Sequence, residues 1–205
     1  MKILLALLLF ATTAQAIDVK VYVYSTSGKN GLKEAEAREL FDAVAARVRN
    51  ELGINLVLWK FLRRPDRFKN YACLSNYCRL KRLHKWQAFF KKRVPRNDVV
   101  KLVLLPPIYE SGKFWLAGYA SGTCTYKRLT TVAYSHGELF NQDGLDRWMH
   151  SINAMLHELL HILGAYHHDE ELNVMHSNAL YYVTPAGGVL PILQSTVQEV
   201  AACLD

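Results

Sequence analysis

His157-Glu158-Leu159-Leu160-His161-Ile162-Leu163-Gly164-Ala165-Tyr166-His167 is the stretch on which the reading of this chain turns. Its first half lies in an amphipathic run. Trp148, Ile152, Met155, Leu159 and Ile162 recur at helical spacing, so a helix is expected from just after Asp146 to about Leu163. On another face, His150, Ala154, His157 and His161 follow one another at steps of four, three and four. Side chains at i and i+4 stand one above the other on a helix, so His157 and His161 offer two imidazoles to one point. Glu158, beside the first, reaches the remaining position there. Gly164 lets the chain leave the helix at positive φ, and the turn brings His167 back to the same point. Three neutral imidazoles with one position left open form the donor set of a catalytic zinc site.

The pattern is specific. From average usage of about 2% His and about 6% Glu, His-Glu-x-x-His alone arises in roughly one in two hundred chains of this length. The glycine and the third histidine at fixed offsets lower that to roughly one in a hundred thousand. An amphipathic helix that merely exposes its histidines explains one of them easily, and three with a glycine poorly.

Upstream, Ile17, Val19, Val21 and Val23 alternate with Asp18, Lys20, Tyr22 and Tyr24, which predicts a strand over 17–25. Leu40, Phe41, Val44, Val48 and Leu52 predict a helix over 32–52, ended by Gly53. Residues 55–62 read as a second strand. Strand, helix, strand in that order implies a parallel pair joined by a crossover. Residues 79–93 read as a helix carrying Leu83, Trp86, Phe89 and Phe90, and 98–105 as an apolar strand stopped by Pro106 and Pro107. Residues 114–125 and 130–135 read as two more strands, and Pro65 and 73–78 as irregular. No repeat, low-complexity tract or linker divides the chain. Its 205 residues suit one domain, and 51% apolar composition excludes a disordered tail.

The N-terminus has a different character. Lys2, the apolar run 3–11 and Ala14-Gln15-Ala16 read as a secretory signal peptide over 1–16, too short for a stable membrane span. The mature chain is expected to start at Ile17 and to be secreted, outside the cell or into a periplasm. Nothing later resembles a transmembrane segment. In an oxidising compartment the four cysteines, Cys73, Cys78, Cys124 and Cys203, suggest two disulfides. Three pairings exist. Cys73 and Cys78 are close enough for a local loop, which leaves Cys124 with Cys203.

The formal charge of +7 is unevenly spread. Thirteen of the 25 Lys and Arg fall in residues 60–96 against a single acid, Asp66, so that stretch carries +12 and the rest −5. One basic flank follows, as a solvated face or as a docking face for an acidic substrate, surface or polyanion. Ser27-Gly28-Lys29 lacks the spacing of a phosphate loop, and there is no Gly-x-Ser-x-Gly elbow. Specific nucleic-acid binding is not indicated.

The stretch 157–167 resembles the metzincin zinc-binding signature, His-Glu-x-x-His-x-x-Gly-x-x-His. The resemblance implies Zn2+ held by His157, His161 and His167, with Glu158 as the catalytic residue that deprotonates water at the open position. The implied activity is that of a secreted zinc-dependent endopeptidase acting on peptide or protein substrates. Metzincins also carry a tight turn with a methionine beneath the metal. Asn173-Val174-Met175-His176 follows His167 at a matrixin-like distance, which makes Met175 the implied Met-turn residue. Leu116 to Cys124 is similar to the edge strand that holds substrate in adamalysin-like members, which implies that Gly118, Tyr119 and Ala120 bind substrate. Residues 190–204 look like their C-terminal helix, with Cys203 near its end. In those relatives such cysteines are joined, in agreement with Cys124–Cys203 beside Cys73–Cys78.

The implied fold is α/β (α+β), a metzincin-like zincin. It has a twisted mixed sheet of about five strands, long helices, an active-site helix and a short C-terminal subdomain. The catalytic domain would span 17–205, with an upper part 17–164 and a lower part 165–205, and is expected to be a monomer. Two positions depart from the family. His168 stands where matrixins have serine and adamalysins aspartate, which makes it a rival ligand that the glycine-to-histidine offset disfavours. Ser177 stands where astacins have a tyrosine. His176 has no assigned role. No pro-domain fits between Ala16 and the first strand, so zymogen control by an N-terminal cysteine is not expected. The competing expectation is a secreted basic module that binds a polyanion or a surface, its metal site structural or inactive. The intact Glu158 argues for catalysis, because a structural site does not need it.

Overall fold

The computed structural model describes residues 16–27, 32–65, 76–95, 98–105, 109–110, 114–115, 118–120, 122, 124, 132–136, 147–169, 172–177 and 190–205. Residues 1–15 of the segment read as a signal peptide over 1–16, and Cys73, lie outside them. Cys78 lies within a helix rather than in an irregular loop, and its pairing with Cys73 falls outside the described residues.

The chain opens with strand β1 (Ile17–Ser27), helix α1 (Glu34–Leu52) and strand β2 (Ile54–Pro65). β1 and β2 pair in parallel, so the crossover read from the sequence is present. Glu36 accepts the Lys33 backbone N–H at 2.7 Å, closing the start of α1. Gly53, at φ +68°, ends it by donating its N–H to the Arg49 carbonyl. Helix α2 (Asn76–Arg93) begins three residues earlier than its apolar spacing suggested, and β3 (Val99–Leu105) follows.

Residues 114–125 do not form one strand. Phe114–Trp115 (β5) pairs with Tyr109–Glu110 (β4) in a separate antiparallel ribbon. Gly118–Ala120 (β6) pairs antiparallel with β7 (Val132–His136). Among the described residues the main sheet runs in the order β2-β1-β3-β7-β6, with β6 its antiparallel member and at one edge. Helix α3 (Arg147–Ile162) carries the histidine motif, and α4 (Gln194–Leu204) ends the chain. α4 starts later than residue 190 because Pro191 biases the residue before it toward extended backbone. The Pro191 carbonyl instead accepts the Val174 N–H at 2.9 Å.

The alternation in β1 sends its side chains into two cores. Val19, Val21 and Val23 join Leu40, Phe41, Val44 and Val48 of α1 and Met155, Leu156 and Leu159 of α3. Tyr22 and Tyr24 face the other way and pack with Trp86 and Phe90 of α2. Both sheet faces are therefore covered, as parallel strands require. The Tyr24 and Trp86 rings lie 4.8 Å apart, edge to face. Residues 151–160 of α3 are buried without exception, so this helix is enclosed on all sides and not only along its apolar stripe. Arg47 of α1 ties the helices together. Its guanidinium donates to the Leu190 carbonyl at 2.7 Å and to Asn153 Oδ1 of α3 at 3.4 Å.

Candidate metal centre

The end of α3 is shaped by one glycine. Gly164 has φ +120°, a conformation that side-chain-bearing residues rarely adopt. Its N–H donates to the His161 carbonyl at 3.1 Å, and the next N–H, of Ala165, donates to the Leu160 carbonyl at 2.9 Å. This pair of bonds is a Schellman cap. The turn reverses the chain and returns it toward the helix face that carries the histidines. A Cβ at Gly164 would also stand 2.5 Å from the Cβ of Cys203, so the glycine admits α4 to the turn as well.

The three predicted ligands converge. Nε2 of His161 lies 3.1 Å from Nε2 of His157 and 3.0 Å from Nε2 of His167, and the third side of the triangle is 3.3 Å. Nitrogens bonded to one tetrahedral zinc at the usual lengths stand about 3.3 Å apart. The surrounding carbonyls settle which ring nitrogens carry protons. Nδ1 of His157 donates to the Val174 carbonyl at 2.7 Å, and Nδ1 of His161 donates to the Ala165 carbonyl at 2.8 Å. Both Nε2 atoms are then bare lone pairs facing each other. Two acceptors at that separation repel unless a cation lies between them, so the donor set fits Zn2+.

Electrostatics agree. Burial pulls the pKa of His157 down to about 3, aided by the neighbouring His161 and opposed by the bond to Val174. Burial likewise pulls His161 down to about 4, opposed by the bond to Ala165. His167 is lowered in the same way, against the pull of Asp169. All three rings are neutral near pH 7, as ligands must be. Burial grades from His157, enclosed, through His161 to His167, exposed, so the site opens to solvent on the His167 side. Glu158 is buried, and desolvation pushes its carboxyl well above the usual range. A divalent cation nearby opposes that push.

Val174 precedes Met175 in a tight turn closed by the His176 N–H on the Asn173 carbonyl at 3.2 Å. Met175 is wholly buried. The Asn173 side chain holds this turn against the ligand segment. Its Oδ1 accepts the Met175 N–H at 2.7 Å, and its amide donates to the His168 carbonyl at 2.8 Å. His168 stands outside the three-histidine cluster, and its Nε2 donates to Glu199 of α4 at 3.1 Å. His176 turns to Asp169, 3.7 Å away. Cys124 and Cys203 form a disulfide with their Cα atoms 5.4 Å apart, and the Cys124 N–H donates to the His161 carbonyl. Sequence reasoning missed Asn173 as an anchor and Glu199 altogether. Only the position of Asn173, two residues before the methionine, was a signal; a lone glutamate in a C-terminal helix offered none.

No protein-family model matches the chain, and no curated protein matches it in sequence. Solved structures do match. The fold is similar to metalloproteinase-II from Bacteroides fragilis, with TM-score 0.59 and 16% identity, over 93% of this chain and 55% of that one. It is similar to archaemetzincin from Methanopyrus kandleri, with TM-score 0.56 and 15% identity, over 95% and 98%. A zinc-dependent peptidase from Methanocorpusculum labreanum gives TM-score 0.52 and 14% identity, over 88% and 99%. The chain spans about half the length of the Bacteroides fragilis protein. The shared architecture is thus a zinc-peptidase fold, and the three-histidine cluster suits the same metal.

Proposed function

We propose that the protein is a secreted zinc-dependent endopeptidase of metzincin type, with a catalytic unit over 17–205. The observation that carries this reading is the triangle of Nε2 atoms, with Glu158 next in sequence to its most buried corner. A zinc ion held there would bring the pKa of water toward neutrality and polarise a carbonyl. Glu158 is the general base: it takes a proton from water and passes it to the leaving amine. Its buried carboxyl, which favours the protonated form, keeps that proton between the two transfers. Among the described residues β6 is the last strand of the sheet, so Gly118, Tyr119 and Ala120 would offer edge backbone groups to an extended substrate. Asn173 and the Met175 turn support the His157 ring from below through Val174.

The test is incubation of the full mature chain with a mixed peptide library, with and without a zinc chelator. Chelator-sensitive cleavage at internal bonds is expected. Cleavage that survives complete zinc removal contradicts the assignment.

One observation favours a second reading. In α1, Arg38 pairs with Glu34 and Arg47 with Glu51. α2 contains seven Lys and Arg and no acid. A segment of that composition suits an acidic substrate or an anionic surface. Retention on a sulfated polysaccharide resin that falls steeply with salt supports this role; retention indifferent to salt removes it.

A further inference from the structure

The two helical ligands are positioned by α3 itself, but His167 lies outside any helix and is the most exposed of the three. What holds it must come from elsewhere in the chain. One carboxylate oxygen, Oε2 of Glu199 on α4, accepts the Tyr166 backbone N–H at 2.9 Å and the His168 Nε2–H at 3.1 Å. It therefore grips the residues on both sides of the third ligand. The main chain at Glu199 is also close. Its carbonyl lies 3.0 Å from where a Cβ on Gly164 would stand. A single residue thus spans the turn from Gly164 to His168. Its reach depends on the close seating of α4 that the glycine permits and the Cys124–Cys203 bond secures.

We propose that Glu199 is a positioning residue for the metal centre, setting the place of His167 through the backbone of Tyr166 and the ring of His168. The proposal rests on the zinc reading given above. Supports of this kind carry a ligand's orientation, and their loss weakens metal binding more than it unfolds the protein.

The test measures zinc affinity of the full chain by competition with a chromogenic chelator, together with the thermal midpoint of the zinc-stripped form. Glu199→Ala is expected to weaken zinc about 10–100-fold. Glu199→Gln keeps an acceptor for the Tyr166 N–H and should lose less than about tenfold. In a His167→Ala background, Glu199→Ala should change affinity no further, because its effect runs through that ligand. Affinity of Glu199→Ala within about twofold of wild type overturns the proposal. So does a loss that persists undiminished without His167, or one explained by a fall in the midpoint of the stripped form. A wild-type chain that takes up no zinc overturns the zinc reading itself, a result distinct from failure of the Glu199 variants alone.

Discussion

The metal centre is assembled from two unlike halves. One is a stretch of helix in which His157 and His161 are set by a repeat of four residues and locked by carbonyls of Val174 and Ala165. The other is a non-helical segment in which His167 owes its place to a glycine, a buried asparagine and a distant helix. The first half is set by the helical repeat and buried; the second depends on residues outside any helix of its own and is open to solvent. The difference teaches that a binding motif contiguous in sequence need not be held by contiguous interactions.

The sharpest way to break this contrast is to remove a ligand from each half. His161→Ala should abolish zinc retention and turnover, whereas His167→Ala should leave weak residual zinc, measured by metal content after dialysis. Equal loss from both would erase the distinction. Glu158→Ala should cut turnover by about 10²–10⁴-fold with zinc retained; full activity in that variant removes its role as base. Gly164→Ala forces a side chain into positive φ and against Cys203, and should destabilise the chain by about 2–5 kcal/mol in denaturant titration. Asn173→Ala strips one buried and one part-buried hydrogen bond from the loop half and should cost about 1–3 kcal/mol.

The smallest effect is on pH dependence. A histidine whose pKa falls on folding binds less proton folded than unfolded, so stability is complete above the ordinary value of 6.5 and is lost as pH drops toward about 3 to 4. Glu158 works the other way, because its raised pKa favours the folded state until pH rises through it. Several histidines oppose one carboxyl below 6.5, so the zinc-stripped chain should melt at lower temperature at pH 5 than at pH 6.5. A midpoint at pH 5 equal to or above that at pH 6.5 contradicts the burial assigned to the rings.

Periodicity made much of this legible. The alternation over Ile17 to Tyr24, the helix ended by Gly53 and the i, i+4 histidines each depend on residues close in sequence, and each stands in the structure as read. The strand read over 114–125 broke into separate pieces, because pairing partners and not local pattern decide where a short strand lies. The C-terminal helix starts at Gln194 and not at 190, since Pro191 disfavours helical backbone before it and its own carbonyl accepts the Val174 N–H. His168 looked like a rival ligand because its sequence position is adjacent to the third histidine. Only the carboxylate of Glu199, thirty-one residues away, draws it off.

The disulfide has a consequence beyond local packing. It joins residues 79 apart and so turns the last part of the chain into a covalent ring. Every ligand, Glu158 and the methionine turn lie within that ring, while β1 to β3 and the first two helices lie outside it. A ring of this circumference withholds about 4.5 kcal/mol of conformational freedom from the unfolded chain. Even when the sheet melts, the three imidazoles stay tethered within a restricted volume, which favours recapture of a shared ion.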